Sequence, residues 1–306
     1  MNRMVTILMC TYNGHKYIKE QLESIINQTY RPIELIIYDD QSTDNTVNII
    51  NSIKEKTDIN ISCIVNSIPS GSAKSNFCRI LKDYIDKEYI MFSDQDDIWD
   101  SRKVEVMMKK MIELEEKEKA PYLVCHNCKI VDAACNVIGH RIIQKVEFGS
   151  LITNPQIQGN SMLVNAQLLK KLSIDDKYIC MHDWYLSLVC SLIGKICVLD
   201  DELLNYRQHG NNVAGYEKTS LAKRIRLVLN QNDKIDVYND ILMQLLYISA
   251  HYDVKCLKAF QSYYKQKEFN KAIKELKGIG AIDLGLHGVY QELCLKKAMK
   301  RQKSSI

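Results

Sequence analysis

Apolar runs and polar breaks alternate regularly over the first third of the chain. Val5–Cys10 is a mostly apolar run of strand length, closed by the turn signal Thr11-Tyr12-Asn13-Gly14. From Tyr17 to Gln28 the period changes, with Ile18, Leu22, Ile25 and Ile26 on one helical face. Arg31-Pro32 breaks the chain, and Ile33–Tyr38 reads as a second strand ending in Asp39-Asp40-Gln41-Ser42-Thr43-Asp44. Asp44 is placed to cap a helix over Asn45–Lys54. Strand, helix and strand follow at Ile59–Val65, Asn76–Ile85 and Glu88–Phe92. This β-α-β-α-β-α-β order with short connections predicts an α/β fold, a mostly parallel sheet covered by helices on both faces.

Beyond it, Arg102–Lys119 is a charged, surface-lying helix, Tyr122–His126 a strand, and Lys129–Ile138 strand-like or hairpin chain. Residues 139–156 carry little periodicity and read as a mobile loop. Gln158–Asn165 is a turn into a buried strand, and Ala166–Leu172 a helix. Met181-His182-Asp183-Trp184 opens an apolar helix to Ile193, with Gly194 as its C-cap. Ile196–Leu199 is another strand, and Leu203–Asn212 contains Tyr206-Arg207-Gln208-His209-Gly210-Asn211-Asn212. From Ser220 the pattern is helical, with Leu221, Ile225, Val228 and Leu229 on one face beside Lys223, Arg224 and Arg226. Two domains follow: 1–215, α/β, and 216–306, helical and basic.

Charge sharpens that division. Residues 216–306 carry 17 Lys+Arg against 9 Asp+Glu, whereas the whole chain is only +4. A 46% hydrophobic content with 4 prolines and 12 glycines in 306 residues fits a packed globular chain. The 11 cysteines follow no disulfide framework, and Met1 leads into a strand rather than a signal peptide; both point to a reducing cytosol. Cys125-His126-Asn127-Cys128 could hint at zinc, but a second ligand pair at finger-like spacing is missing, which argues against a metal role there. No apolar run is long enough to span a bilayer. The basic C-terminal region suggests contact with an anionic membrane surface, while nucleic acid is not expected, having only the charge to support it.

The chemistry concentrates at predicted strand ends. Phe92-Ser93-Asp94-Gln95-Asp96-Asp97-Ile98-Trp99 puts three carboxylates within four positions, where they repel one another unless a cation stands among them. Asp94 and Asp96 fall on one side of an extended segment, and hard oxygen ligands suit Mn2+ or Mg2+ carrying phosphates. As structure alone, the stretch is an acidic turn with Asp97 or Asp100 capping the next helix. Ligands in parallel sheets bind beyond the carboxyl ends of the strands, where Thr11–Asn13, Asp39–Asp44 and Asp94–Asp97 all lie. There is no G-x-G-x-x-G after the first strand and no G-K-[ST] loop, which argues against ordinary dinucleotide and P-loop sites.

Five segments in order carry a family resemblance: Cys10–Gly14, Tyr38–Thr46, Phe92–Trp99, His182–Trp184 and Tyr206–Asn212. Over roughly residues 4–215 the chain resembles the family 2 glycosyltransferases, in the bacterial rhamnosyltransferase-like branch. The resemblance implies a GT-A fold, a divalent cation, and inverting transfer of a sugar from a UDP- or dTDP-sugar to a saccharide or lipid-linked glycan acceptor of a bacterial surface polysaccharide. It implies that Thr11 and Tyr12, with Asn13 beside them, line the base pocket. Asp39 accepts from the pyrimidine N–H, Asp94 holds the ribose, and Lys74 stands near the nucleotide. Asp96 ligates the metal, and Asp183 is the catalytic base. Arg207 and His209 belong to a segment that closes over the diphosphate, His209 with Asp96 on the metal side.

Plainer readings stand beside these. Asp183 alone is a helix N-cap, Asp39 a capped turn, His209 a loop histidine, Lys74 a solvated lysine, and Trp99 and Trp184 packing residues. The Gln-x-x-Arg-Trp pattern of processive synthases is missing, which points to addition of one or a few sugars. Gln41 stands where many relatives have Gly, for which only a local change of turn is expected. Two rivals remain. A nucleotidyltransferase would need a glycine-rich, arginine-bearing first loop, which is missing. A catalytically silent sugar-nucleotide or glycan-binding module would have no need of every acidic motif.

Overall fold

The computed structural model describes residues 3–209, 231–253, 255–282 and 286–302. The expectations for Gly210–Asn212 and for the face Leu221–Leu229 lie outside the described residues.

The sheet begins as the hydrophobic pattern predicts. Strands β1 (Val5–Thr11), β2 (Ile33–Asp39), β3 (Asn60–Val65) and β4 (Tyr89–Ser93) are parallel in the order β3-β2-β1-β4. Helices α1 (Ile18–Ile26), α2 (Thr46–Lys54) and α3 (Ala73–Asp83) are the crossovers. Every residue of β1 is buried, because both faces are covered. Val5, Ile7 and Met9 share one core with Ile18, Leu22 and Ile25 of α1 and with Met107, Met108 and Met111. On alternate positions of the sheet, Phe92 meets Phe77 of α3 edge to face, with ring centroids 6.2 Å apart.

Beyond β4 the sheet becomes mixed. It continues through β8 (Met162–Asn165), β6 (Tyr122–Val131), β9 (Lys195–Arg207) and the two-residue β5 (Ile98–Trp99). β8 is antiparallel to β4 and β6, β9 is parallel to β6, and β7 (Val137–Arg141) forms a hairpin with β6. The last strand runs past the predicted Leu199 to Arg207, with register shifts against β6 after His126. Helix α4 (Lys103–Lys117) is less superficial than its charge suggests: Lys103, Val104, Met107, Met108 and Met111 are buried.

Two compact units are present. The first comprises the sheet and α1–α4, with residues 157–176 and 193–209. It includes α6 (Ala166–Leu169), capped by Asn165 Oδ1 accepting from Leu168 N at 3.1 Å. The second is helical. It gathers α8 (Gln231–His251), α9 (Lys255–Lys265), α10 (Phe269–Gly278) and α11 (Leu286–Gln302), together with residues 145–156 and 177–192. Those two stretches contain α5 (Phe148–Thr153) and most of α7 (His182–Ile193).

The expected mobile loop over 139–156 is therefore corrected. It starts with the end of β7 and contains α5, whose Leu151 and Ile152 are fully buried. Thr153 Oγ1 donates to Ala281 O at 2.9 Å, and Trp184 Nε1 donates to Leu151 O at 2.6 Å. Six residues are too few to show a helical period. Helix α7 ends at Ile193 with Gly194 next, as expected, but this glycine has no positive φ and is not a left-handed cap. A Cβ there would stand 2.3 Å from Pro121 O, so the glycine serves close approach of two backbones.

Candidate active site

The carboxyl ends of β1, β2 and β4 lie side by side, because Thr11 pairs with Asp39 and Met9 with Ser93. Side chains then join the three following loops. Asn13 has φ 47°, and its Oδ1 accepts from Thr43 N at 2.9 Å. Asn13 N donates to Ser42 Oγ at 2.9 Å, and Gly14 N to Thr46 Oγ1 at 2.8 Å. Asp44 accepts from Thr46 N at 2.9 Å and pairs with His15 at 2.6 Å, so it caps the first turn of α2 from outside the helix.

Asp39 is 0% exposed. Its Oδ1 accepts from Ser42 N at 2.7 Å, and its Oδ2 from Thr11 Oγ1 at 2.7 Å and Ser42 Oγ at 2.6 Å. Asp40 holds the next loop. It accepts from Asn66 Nδ2 at 2.8 Å, from Ser70 N at 2.6 Å and Ser70 Oγ at 2.8 Å, and from Gly71 N at 3.2 Å. Burial pushes this carboxyl up, but the Ser70, Asn66 and Gly71 donors hold it below the ordinary range. Lys74, in the first turn of α3, donates to Asp176 O at 3.0 Å. Tyr12 is 57% exposed at the rim.

The acidic loop after β4 is arranged differently. Asp97 is 0% exposed and faces inward. Burial, with Asp94 and Asp96 nearby, pushes its carboxyl well above the usual range. Asn160 Nδ2 bridges it to Asp94, at 2.6 Å from Asp97 Oδ2 and 3.1 Å from Asp94 Oδ2. Lys103 lies buried below, donating to Asn160 O with its ammonium 3.5 Å from the Trp99 ring centroid. Asp100 takes the capping role, accepting from Arg102 N at 2.9 Å.

Asp96 Oδ2 lies 2.8 Å from His209 Nε2, and the His209 ring stacks on Tyr17 at 4.7 Å. Arg207 is only 2% exposed. Its N–H donates to Asp97 Oδ1 at 3.1 Å, its Nε to Asp96 O at 2.9 Å, and its other nitrogens to Ala133 O and the Glu20 carboxylate. The guanidinium also stacks on Tyr17 at 4.6 Å. Arg207 thus ties α1, the acidic loop and the β6–β7 turn together. Tyr17, Glu20, Asn160 and Lys103 were not singled out from the sequence. Of these, only Asn160 stood in a segment flagged there as a turn.

Comparison with known proteins decides the class. The model of glycosyl transferase family 2 matches residues 6–117. The dTDP-rhamnosyl transferase RfbG of Shigella flexneri is 34% identical over 251 residues, 73% of this chain and 79% of that protein. The chain belongs to glycosyl transferase family 2.

It is a glycosyltransferase. A second relative is the UDP-Glc:alpha-D-GlcNAc-diphosphoundecaprenol beta-1,3-glucosyltransferase WfaP of Escherichia coli. It is 27% identical over 259 residues, 83% of this chain and 91% of that protein. The crystal structure of S. aureus TarS 1-349 in complex with UDP-GlcNAc superposes with a TM-score of 0.59 at 16% identity, covering 99% of this chain and 92% of that one. The fold is GT-A, with helices completing the C-terminal part of this family 2 chain.

Of the sequence-predicted residues of the first unit, Lys74 bonds Asp176 O and Tyr12 bonds Gln95, and the others fall into two groups. Thr11, Asn13 and Asp39 are joined directly or through Ser42 at the ends of β1 and β2. Asp94, Asp96, Arg207 and His209 are linked through Asn160, Asp97 and direct contacts beyond β4. Asp183 belongs to the second unit. It lies in the first turn of α7 rather than at its N-cap, and its Oδ1 accepts from Trp184 N at 2.7 Å.

Proposed function

We propose that this glycosyltransferase moves a sugar from a nucleoside diphosphate donor, UDP- or dTDP-linked, to a saccharide or lipid-linked glycan acceptor in bacterial surface polysaccharide synthesis, with inversion. What carries the reading is the stitched rim of β1, β2 and β4, with Asp96 and His209 paired on it. The nucleotide donors named for the Shigella flexneri and Escherichia coli relatives, and the diphosphoundecaprenol acceptor of the latter, support the substrate classes.

In this reading Tyr12, Thr11 and Asn13 receive the base. Asp39, three of whose acceptor directions are filled, takes the pyrimidine N–H on the fourth. Asp94 holds the ribose, and Lys74 faces the phosphates. Arg207, with its guanidinium engaged on all sides, serves by holding the acidic loop and presenting His209.

A divalent cation fits the residues present. Among the described residues no three His, Cys, Asp or Glu side chains form a ready-made cage. Asp96 and His209 would be its protein ligands, and Mn2+ or Mg2+ ordinarily takes one or two such ligands and completes its shell with phosphate oxygens and water. When bound it neutralises charge on the departing diphosphate. Asp183 takes the acceptor hydroxyl proton as that oxygen bonds to the anomeric carbon and the bond to the diphosphate breaks.

Residues 216–306, with exposed Lys258, Lys265, Lys267, Lys271, Lys274 and Lys277, meet the anionic inner face of the membrane. No described helix is long and apolar enough to cross it. Vesicle co-sedimentation that is equal and salt-insensitive with and without residues 290–306 would remove that part of the reading.

Replacing Asp183 by Asn tests the whole. Transfer is expected to fall by about 10²–10⁴-fold, the range of a lost general base, while titrated UDP or dTDP affinity stays within about twofold. Near-normal turnover of Asp183→Asn overturns the base assignment.

A further inference from the structure

Gln95, the residue between Asp94 and Asp96, is turned away from the carboxylates and grips the backbone of Tyr12. Its Oε1 accepts from Tyr12 N at 2.9 Å, and its Nε2 donates to Tyr12 O at 3.0 Å. A primary amide can serve one residue's main-chain donor and acceptor in this way as a neighbouring strand would. Both bonds fall on the residue whose ring is the most exposed aromatic of the rim. Gly14 makes the room: a Cβ there would lie 2.3 Å from Gln95 Oε1. Gly14 has no positive φ, so a methyl group at that position meets the end of a flexible side chain rather than a backbone obstacle.

We propose that Gln95 is a positioning residue that sets the Tyr12 ring for the nucleoside base, so that the loop bearing the acidic pair also shapes the base pocket. The inference rests on the reading of Tyr12 as part of that pocket. Gln95 touches no reacting atom. It fixes the main chain on both sides of the Tyr12 Cα, which leaves the ring less freedom to lose when a base stacks on it.

The test is a double-mutant cycle on the full chain, titrating UDP and dTDP in the presence of Mn2+ and following the tighter binder. Gln95→Ala is expected to weaken that nucleotide about tenfold, equivalent to about 1.4 kcal/mol. In a Tyr12→Ala background the same change is expected to cost less than about twofold. Gly14→Ala, which displaces the amide by bulk, is expected to reproduce the loss and to add little to Gln95→Ala. Pyrophosphate with Mn2+, a probe without a base, is expected to bind Gln95→Ala as it binds the unaltered chain.

Equal losses in both Tyr12 backgrounds overturn the inference while leaving the base pocket standing. A parallel loss of pyrophosphate affinity also overturns it, since Gln95 would then act on the acidic loop. If Tyr12→Ala alone leaves nucleotide affinity intact, the pocket assignment itself fails and the inference goes with it. Thermal melting of each variant separates these outcomes from unfolding.

Discussion

Two carboxylate clusters stand at neighbouring strand ends and solve the same electrostatic problem in opposite ways. After β2, Asp39 and Asp40 are surrounded by donors, with three and four hydrogen bonds respectively. Their charge is met by backbone N–H groups, hydroxyls and an amide, and Asp40 stays below its ordinary range despite burial. After β4, one amide group bridges Asp94 and Asp97, and Asp97 is driven well above its range by burial and by its acidic neighbours. Carboxylates met by several protein donors hold a loop in place. Carboxylates crowded against one another are suited to receive further positive charge from outside.

The contrast is sharpest at Asp96. Asp96→Ala is expected to abolish the Mn2+-dependent part of nucleotide binding and to reduce transfer by about 10³-fold or more, as loss of a principal electrostatic group does. The fold should change little, with a melting temperature close to that of the unaltered chain. Calorimetric titration with and without Mn2+ checks the first point, and unchanged metal enhancement would erase the distinction between the clusters.

Asp40→Ala should do the reverse. It strands Ser70 N and Gly71 N and leaves Asn66 Nδ2 with only Asn76 Oδ1, and is expected to destabilise the chain by about 2–4 kcal/mol in chemical denaturation. The metal enhancement of nucleotide binding should persist in whatever fraction stays folded.

The smallest effect is a matter of pH at Asp44. Burial opposes its charge, but the Thr46 hydroxyl and amide and the His15 ring bring the carboxyl to about 2. The folded value is depressed, so the group adds stability above the unfolded value of about 4 and loses that contribution as pH falls through about 2. Asp44→Ala should therefore cost about 1–2 kcal/mol at pH 7, after allowance for solvent screening, and almost nothing near pH 2. Denaturation curves at the two pH values measure it.

Most of the scaffold was legible because local pattern and burial agree. The first four strands announce themselves as apolar runs, since a sheet covered on both faces needs side chains of one kind throughout. The polar ends were legible for the same reason, each run stopping at a cluster of Asp, Asn and Thr. Gln41 shows how fine detail escapes such reading. It has φ 63°, a region where Gly is at ease, and its side chain offsets the strain by donating to Asn66 O at 3.0 Å and Ser67 O at 3.1 Å. Arg207 escaped more completely. The resemblance puts Arg207 in a segment that closes over the diphosphate, but it gives no sign that the side chain's partners come from α1, the acidic loop and the β6–β7 turn. No local period encodes such a convergence. The same holds for Gly194, whose need is set by Pro121 across the sheet.

The reach of Arg207 and Asn160 has a consequence for when competence arrives during synthesis. Asp97 meets Asn160 across 63 positions and Arg207 across 110. A ribosome that has released only the first five strands, through Trp99, has made a peptide whose inward-facing acid still lacks both later partners. The acidic loop therefore waits for the thirteen-residue closing strand before Asp97 has all its partners, so its final arrangement belongs to the late steps of synthesis.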